Sequence, residues 1–275
     1  MVGSGSKVVQ PPKRPKLIAS DLDGTLFNRA EMSDRTWKAV QAVQESGIKF
    51  VAATGRATSL LGPLEARGYD GIAVCDNGAI TYDVGRDHVI GCQLLEAELV
   101  GELVEEFSRR APDINLGVSR LTPHNKSMFS DPKLLDFYSF GQEPLELKDF
   151  GDEPAGKLFA LHRGKDSMQI AREFADLTDG RVTVSWSANA SGLIEITADG
   201  VTKEFGLAAL TRRWRIDAID VVAIGDGNND LEMLAWAGTA VVPENGSSSA
   251  KVLADKVIGP ITEDGTAIYL ESLLD

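Results

Sequence analysis

LIASDLDGTL, residues Leu17 to Leu26, decides the fold. Leu17 to Ser20 is an apolar run too short for a helix, and it ends on acids, as a buried strand feeding a loop does. Asp21 and Asp23 follow at once, and Gly24 lets the chain turn with its backbone close to a ligand. Downstream, Trp37, Val40 and Val43 recur at helical spacing between Ser33 and about Glu45, and Gly47 stops the helix. FVAAT (Phe50 to Thr54) reads as a second strand, Ala57 to Arg67 as a second helix, and AVCD (Ala73 to Asp76) as a third strand. Strand alternating with helix specifies an α/β fold with a Rossmann-like parallel sheet. Ligands of such sheets collect at the carboxyl ends of the strands, where Asp21 and Asp23 stand.

The texture changes after Asn77-Gly78. ITYDVGRDHVIGCQLL turns back on itself as a hairpin, and Leu95, Leu99, Leu103 and Phe107 mark an acidic amphipathic helix. NLGVSR, KLFALHR and RVTVSW read as strands, with a helix over Asp166 to Leu177. The alternating pattern then resumes: a helix from Thr202 to Arg213, the strand VVAIGD (Val221 to Asp226), a helix over Leu231 to Trp236, the strand TAVV, and closing helices. The division expected is a flexible tail over 1–15, a catalytic core over 16–86 and 196–275, and an inserted α+β domain over 87–195.

The chain has 275 residues, enough for about two domains. Hydrophobic residues at 43% supply a proper core, which excludes a disordered chain. Lys and Arg number 28 against 41 acids, a formal net charge of −13. Such a surface repels phosphate backbones and anionic lipids, so neither nucleic acid nor membrane is the expected partner. An anionic small molecule is still admissible where a metal supplies local positive charge. Cys75 and Cys92 are too few for a disulfide framework and read as small buried hydrophobes in a reducing, cytoplasmic setting. The N-terminal tail has no apolar segment of signal-peptide type, and no run reaches transmembrane length. No partner motif stands out; a monomer or homodimer is expected.

A bare Asp-x-Asp is usually an acidic turn, but a second cluster, Gly225 to Asp230, follows a second buried strand. Asp226, Asn228 and Asp230 fit the start of a calcium loop. That reading fails, because Leu231 stands where the loop needs glycine and Ala237 where it needs a bidentate acid. If both strands share a sheet, Asp21, Asp23, Asp226 and Asp230 converge on one rim. Four ionised carboxylates need a counter-charge, and a Mg²⁺ ion with oxygen ligands supplies it. Thr54-Gly55-Arg56 closes the second strand with a hydroxyl and free N–H groups suited to an anion, though Thr54 also reads as a helix cap. Lys203 begins the helix after the insert, and by itself is a solvated lysine. Arg120, His124 and Lys126 lie near a loop of the insert and are candidate substrate contacts or plain surface. No G-x-x-x-x-G-K-[ST] loop is present, which argues against a nucleotide kinase.

DLDGTL (Asp21 to Leu26), ATGR (Ala53 to Arg56), GVTK (Gly200 to Lys203) and GDGNNDLEML (Gly225 to Leu234), in that order, together resemble the haloacid dehalogenase (HAD) superfamily. The insert after CDNGAI, returning through Ile194 to Ile196, resembles the α/β cap of the Cof-type branch. The resemblance spans about residues 16–275. It implies a hydrolase of phosphate monoesters, with Asp21 as the nucleophile that becomes an aspartyl-phosphate. It implies Asp23 as general acid and then base, its proton held by acidic neighbours. Mg²⁺ would rest on Asp21, the backbone carbonyl of Asp23, and Asp226. Leu22 N–H, Thr54, Gly55, Lys203 and Asn229 would hold the phosphoryl oxygens, with Asp230 orienting Lys203 or a metal-bound water. Usual substrates of this branch are sugar phosphates and flavin- or pyridoxal-type phosphates. Two departures bear on the substrate. Glu204 replaces a common glycine, and Pro243-Glu244-Asn245-Gly246 replaces the usual methionine-glycine-asparagine-alanine loop. A phosphosugar mutase, which returns the phosphoryl group to a sugar, and a non-catalytic phosphometabolite binder are the other readings.

Overall fold

The structure is a computed structural model that describes residues 14–29, 31–121, 127–135, 141–186 and 192–274. The chain starts with β1 (Leu17–Ser20), α1 (Asp34–Glu45), β2 (Lys49–Ala53), α2 (Gly62–Glu65), β3 (Ile72–Cys75), β4 (Ile80–Asp83) and β5 (His88–Cys92). A second unit follows: α3 (Ala97–Arg110), β6 (Asn115–Ser119), β7 (Met128–Ser130), α4 (Pro132–Leu135), β8 (Glu143–Pro144), β9 (Lys157–Leu161), α5 (Ser167–Glu173), α6 (Ala175–Thr178), β10 (Val182–Ser185) and β11 (Leu193–Ala198). The first unit then resumes with α7 (Lys203–Trp214), β12 (Val221–Ile224), α8 (Leu231–Trp236), β13 (Thr239–Pro243), α9 (Ser248–Leu253), β14 (Lys256–Ile258) and α10 (Gly265–Glu271).

The first sheet runs β14-β13-β12-β1-β2-β3-β4-β5. From β14 to β3 its neighbours are parallel, and β4 and β5 add an antiparallel hairpin. Because successive strand residues face opposite ways, Ile18 joins the core shared with α1 and α10, while Leu17 and Ala19 join the core shared with α7 and α8. Burial on both faces explains why β1 runs Leu17-Ile18-Ala19 without polar alternation before Ser20. The chain leaves β1 towards β2 on one side and later returns to β12 on the other. The strand order therefore reverses beside β1, where sheets of this kind bind ligands.

The second sheet, β10-β11-β9-β6-β7-β8, packs α3 and α5 around Phe107 and Phe174, whose ring centroids are 4.3 Å apart. Sheet membership moves the expected divisions. His88–Cys92 is hydrogen-bonded to β4 in the first sheet, so the crossing falls after Cys92 and not at 86/87. Leu193–Ala198 belongs to the second sheet, so the return falls after Ala198 and not at 195/196.

Other differences have local causes. The helix expected over Ala57 to Arg67 is a turn at Thr58–Leu60 followed by the four-residue α2. Pro63 has no N–H to continue a helix and restricts the residue before it. The helix expected over Asp166 to Leu177 breaks at Phe174, where the backbone leaves helical geometry. β14 is an edge strand where only helices were expected, and Cys92 is exposed, unlike buried Cys75. Among the described residues no helix is long and apolar enough to cross a membrane.

Candidate active site

Parallel pairing of β1 with β12, Ser20 opposite Ile224, delivers the two acidic loops side by side. Asp21 N donates to Ile224 O at 2.8 Å, fastening one loop to the end of the neighbouring strand. Gly24 has φ +88°, and a methyl group there would lie 2.4 Å from Asp226 Oδ2. Glycine is thus the residue that lets the Asp226 carboxylate lie against the first loop.

Lys203 opens α7 behind its N-cap Thr202, fully buried. Its seat depends on Gly78, where a methyl would lie 1.8 Å from the Thr202 carbonyl oxygen. The Lys203 ammonium donates to Asp21 Oδ1 at 2.6 Å and to Asp230 Oδ1 at 2.5 Å. Burial opposes that charge, but the two carboxylates outweigh it and hold the ammonium above the ordinary lysine range. The second oxygen of Asp230 accepts the N–H groups of Asp226 and Gly227, at 2.9 and 2.8 Å. Both Asp230 oxygens are thereby engaged, and its function is to hold Lys203 and the loop.

Asp21 is buried, and burial drives its carboxyl well above the usual range, with Lys203 pulling down and Asp230, Asp226 and Asp23 pushing up. Asp226 is pushed up to about 7, first by burial and then by Asp230, against Lys203. One ligand oxygen from each of Asp21, Asp226 and Asp230 lies within 4.8 Å of the others. Buried carboxylates this close are the donor set a hard divalent cation fits. With Asp230 engaged elsewhere, Asp21 and Asp226 are the groups available to it.

Asp23 differs from expectation. Its carboxylate is half exposed, and its charged partner is not another acid but Arg56, which donates Nε to Oδ2 at 2.8 Å and Nη2 to Oδ1 at 2.7 Å. Thr54 is fully buried, and its hydroxyl accepts from Arg56 N at 3.0 Å, as a cap would, although no helix begins there. Leu22 is buried in the turn, its carbonyl accepting from Thr25, Leu26 and Phe27. Asn229 donates Nδ2 to Asn77 Oδ1 at 3.0 Å, and the Gly55 carbonyl accepts from the Lys157 ammonium. Arg120 is buried within the inserted unit, where Nη2 donates to the carbonyls of Asp149 and Phe150 at 2.7 and 2.8 Å. Among the described residues these hydrogen bonds brace that unit, and none reaches the Asp21 group. His124 and Lys126 lie outside the described residues.

The residues missed by sequence reasoning come mostly from the inserted unit. Lys157 and Glu195, both buried, form an ion pair that sits over Gly55 and Asn77. The one signal was a charged residue inside each apolar strand, KLFAL and LIEI. Asp76 joins the same seam: Oδ2 accepts from Ser119 at 2.7 Å, and Oδ1 lies 3.8 Å from the Lys157 ammonium without a hydrogen-bond donor among the described residues. Burial pushes the Asp76 carboxyl up to about 6, with Glu195 adding to the shift and Lys157 and Ser119 opposing it. A raised acid stabilises the fold by holding its proton, fully below pH 3.8, and that stability is lost as pH rises through about 6. Asp76→Asn should therefore raise the melting temperature relative to wild type more at pH 8 than at pH 4.5. An equal difference at both pH values would contradict the assignment.

A cavity of ≈ 280 Å³ adjoins this seam, sharing Asn77 with it, and is lined by Met168, Val184, Trp186 and Leu231 together with amide and hydroxyl groups, Asn229 among them, and the Glu232 side chain.

The family model for haloacid dehalogenase-like hydrolases matches residues 18–270. The phosphoglycolate phosphatase of Methanopyrus kandleri is 28% identical over 94% of this chain and 97% of its own. The 5-amino-6-(5-phospho-D-ribitylamino)uracil phosphatase YbjI of Escherichia coli is 26% identical over 94% of this chain and 96% of its own. Among solved structures, a haloacid dehalogenase-like hydrolase from Bacteroides thetaiotaomicron superposes with a TM-score of 0.76 at 26% identity, covering 94% of this chain and 100% of that one.

Proposed function

The chain belongs to the haloacid dehalogenase-like hydrolase family and is a phosphatase, and from that premise we propose that it hydrolyses small phosphorylated metabolites through an aspartyl-phosphate on Asp21, with Mg²⁺ as cofactor. The observation that carries the reading is the buried Lys203 ammonium bridging Asp21 and Asp230 beside Asp226. No surface ion pair explains a lysine with no exposure held between two acids, whereas a site for an anionic phosphoryl group requires one.

A carboxylate oxygen of Asp21 attacks phosphorus, and the bond to the ester oxygen breaks as Asp23 gives that oxygen a proton. Water then attacks the phosphoryl group, Asp23 takes its proton, and the P–O bond to Asp21 breaks to release phosphate. Lys203 neutralises the phosphoryl oxygens while holding Asp21 in line. Leu22 N–H, Thr54, Gly55 and Asn229 supply the remaining donors. Asp21, the Asp23 carbonyl and Asp226 would hold Mg²⁺, which when bound offsets negative charge on the group in transfer. The inserted unit acts as the cap over the site. The leaving group sits towards the cavity beside Asn77, whose Trp186 and Val184 walls, amide and hydroxyl groups and single carboxylate, Glu232, suit a sugar or a flavin- or pyridoxal-type moiety. That matches the ribitylaminouracil phosphate named for the E. coli relative. A cytoplasmic setting suits such metabolites.

The test is phosphate release from a panel of sugar, nucleotide and cofactor phosphates, by the wild type and by Asp21→Asn. Turnover by the wild type that is lost in the variant is expected. No turnover on any ester, or turnover surviving the substitution, would refute the reading.

A further inference from the structure

A chain of amide groups links the cap to Asn229. Glu195 lies on β11 opposite Phe159 of β9, which places it diagonally across from Lys157. Its Oε1 accepts from the Lys157 ammonium. Its Oε2 accepts from Asn77 Nδ2 at 2.9 Å, and the same nitrogen donates to Ser185 Oγ at 3.3 Å. Both cap partners thus take hydrogens from Asn77. The Asn77 amide oxygen is turned to the other side, where it accepts from Asn229 Nδ2 at 3.0 Å. Glu195, Asn77 and Asn229 are all buried.

The order of donors and acceptors in this chain has one origin. A carboxylate bound to a lysine only accepts, whereas an amide does both and takes its orientation from its neighbour. Glu195 therefore sets Asn77, and Asn77 sets Asn229 with its nitrogen directed inward. That nitrogen lies beside Gly55, where a methyl group would be 3.5 Å from it. One of its two hydrogens goes to Asn77, and the second meets no acceptor among the described residues, which leaves it for an anion. The opposite orientation would present a carbonyl oxygen to a phosphoryl oxygen and repel it.

We propose that Glu195, through Asn77, is the positioning residue that orients Asn229 as a donor to the phosphoryl group, so that a cap side chain completes the phosphate site of the core. This rests on the phosphatase reading for the role of Asn229. It also makes the donor set complete only while β11 of the cap is seated on the Asp76-Asn77 turn.

The test is a double-mutant cycle read by calorimetric binding of inorganic orthophosphate to the Mg²⁺-supplemented protein, with ester hydrolysis measured alongside. Glutamine at 195 keeps the shape but can donate, which frees the chain to invert. Glu195→Gln and Asn229→Ala should each weaken orthophosphate binding about tenfold, the order expected for one hydrogen bond to a charged group. The double variant should bind no more weakly than Asn229→Ala alone. Asn77→Gly, which keeps the left-handed backbone of that residue, should behave as Glu195→Gln does and replaces it if that variant does not fold. Losses that multiply in the double variant, wild-type binding by Glu195→Gln, or no orthophosphate binding by the wild type would each overturn the relay. Ester turnover by the wild type with multiplying losses rejects the relay and leaves the phosphatase standing. Absence of turnover on every ester rejects the phosphatase, while the binding cycle still decides the relay.

Discussion

Lys203→Met should lower kcat by at least about 10³-fold and the melting temperature by on the order of 10 °C. The two effects share one cause. The Lys203 ammonium is the cation between Asp21 and Asp230, at 2.6 and 2.5 Å, with no solvent to replace it. Methionine fills the space of the aliphatic stem but leaves two buried carboxylates facing one another. Removing one partner of a buried ion pair costs about 3–5 kcal/mol, and Asp21 is held above the usual carboxylate range even with the lysine present. The freed acids take up protons most readily at low pH, so the loss of stability should be smaller at pH 5 than at pH 8. For turnover, the variant lacks the charge that draws the phosphoryl oxygens in and that holds Asp21 in line. Melting curves at the two pH values and steady-state kinetics check both parts. A variant as stable and as active as wild type would show that the bridge is incidental.

Chelation should abolish turnover, and added Mg²⁺ should restore it. The accompanying stability effect has a definite pH dependence. Asp226 is pushed up to about 7 by burial and by Asp230, from an ordinary value of 3.8. An acid raised in the folded state stabilises the fold while protonated; that contribution is complete below pH 3.8 and is lost as pH rises through about 7. Metal binding requires the ionised form, so below pH 7 the cation competes with the proton, and above it the cation relieves the cost of two adjacent buried carboxylates. The rise in melting temperature on adding Mg²⁺ should therefore be larger at pH 8 than at pH 6. Activity that persists after full chelation would sink the metal assignment. A Mg²⁺ shift independent of pH would remove Asp226 from it.

The departures seen in the sequence act at the edge of these predictions. Asn245, in the loop that replaces the usual one, donates Nδ2 to the Gly24 carbonyl at 2.8 Å. This loop thus braces the turn that carries Asp23 and Gly24. Glu204 is half buried, and burial raises its carboxyl, with Arg212 opposing. It sits one residue along α7 from Lys203 but shares no hydrogen bond with it, so its charge does not enter the bridge.

Local sequence determined much of this protein. β1 and β12 are legible because a strand buried on both faces must be apolar throughout, and the acids that end each strand mark where it leaves the core. Asp21 and Asp226 stood out because each follows a readable buried strand, whereas Lys203, by itself a solvated lysine, was singled out only by the family resemblance that GVTK helps to carry. Elements failed where a local pattern met a local break: Pro63 shortened one helix, and another divides at Phe174, where the backbone leaves helical geometry. Partnerships lay beyond the sequence. Lys203 meets Asp21 across 182 positions because the start of α7 packs against Gly78 in the turn after β3, and Asp23 meets Arg56 because β2 lies beside β1. Glu195 and Lys157 read as isolated charges in apolar strands, since their pairing depends on the register of β11 against β9. Residue type and period are local properties that a chain displays along its length. Which buried charge faces which donor depends on strand order and on how the inserted sheet sits against the core, and only the tertiary structure decides that.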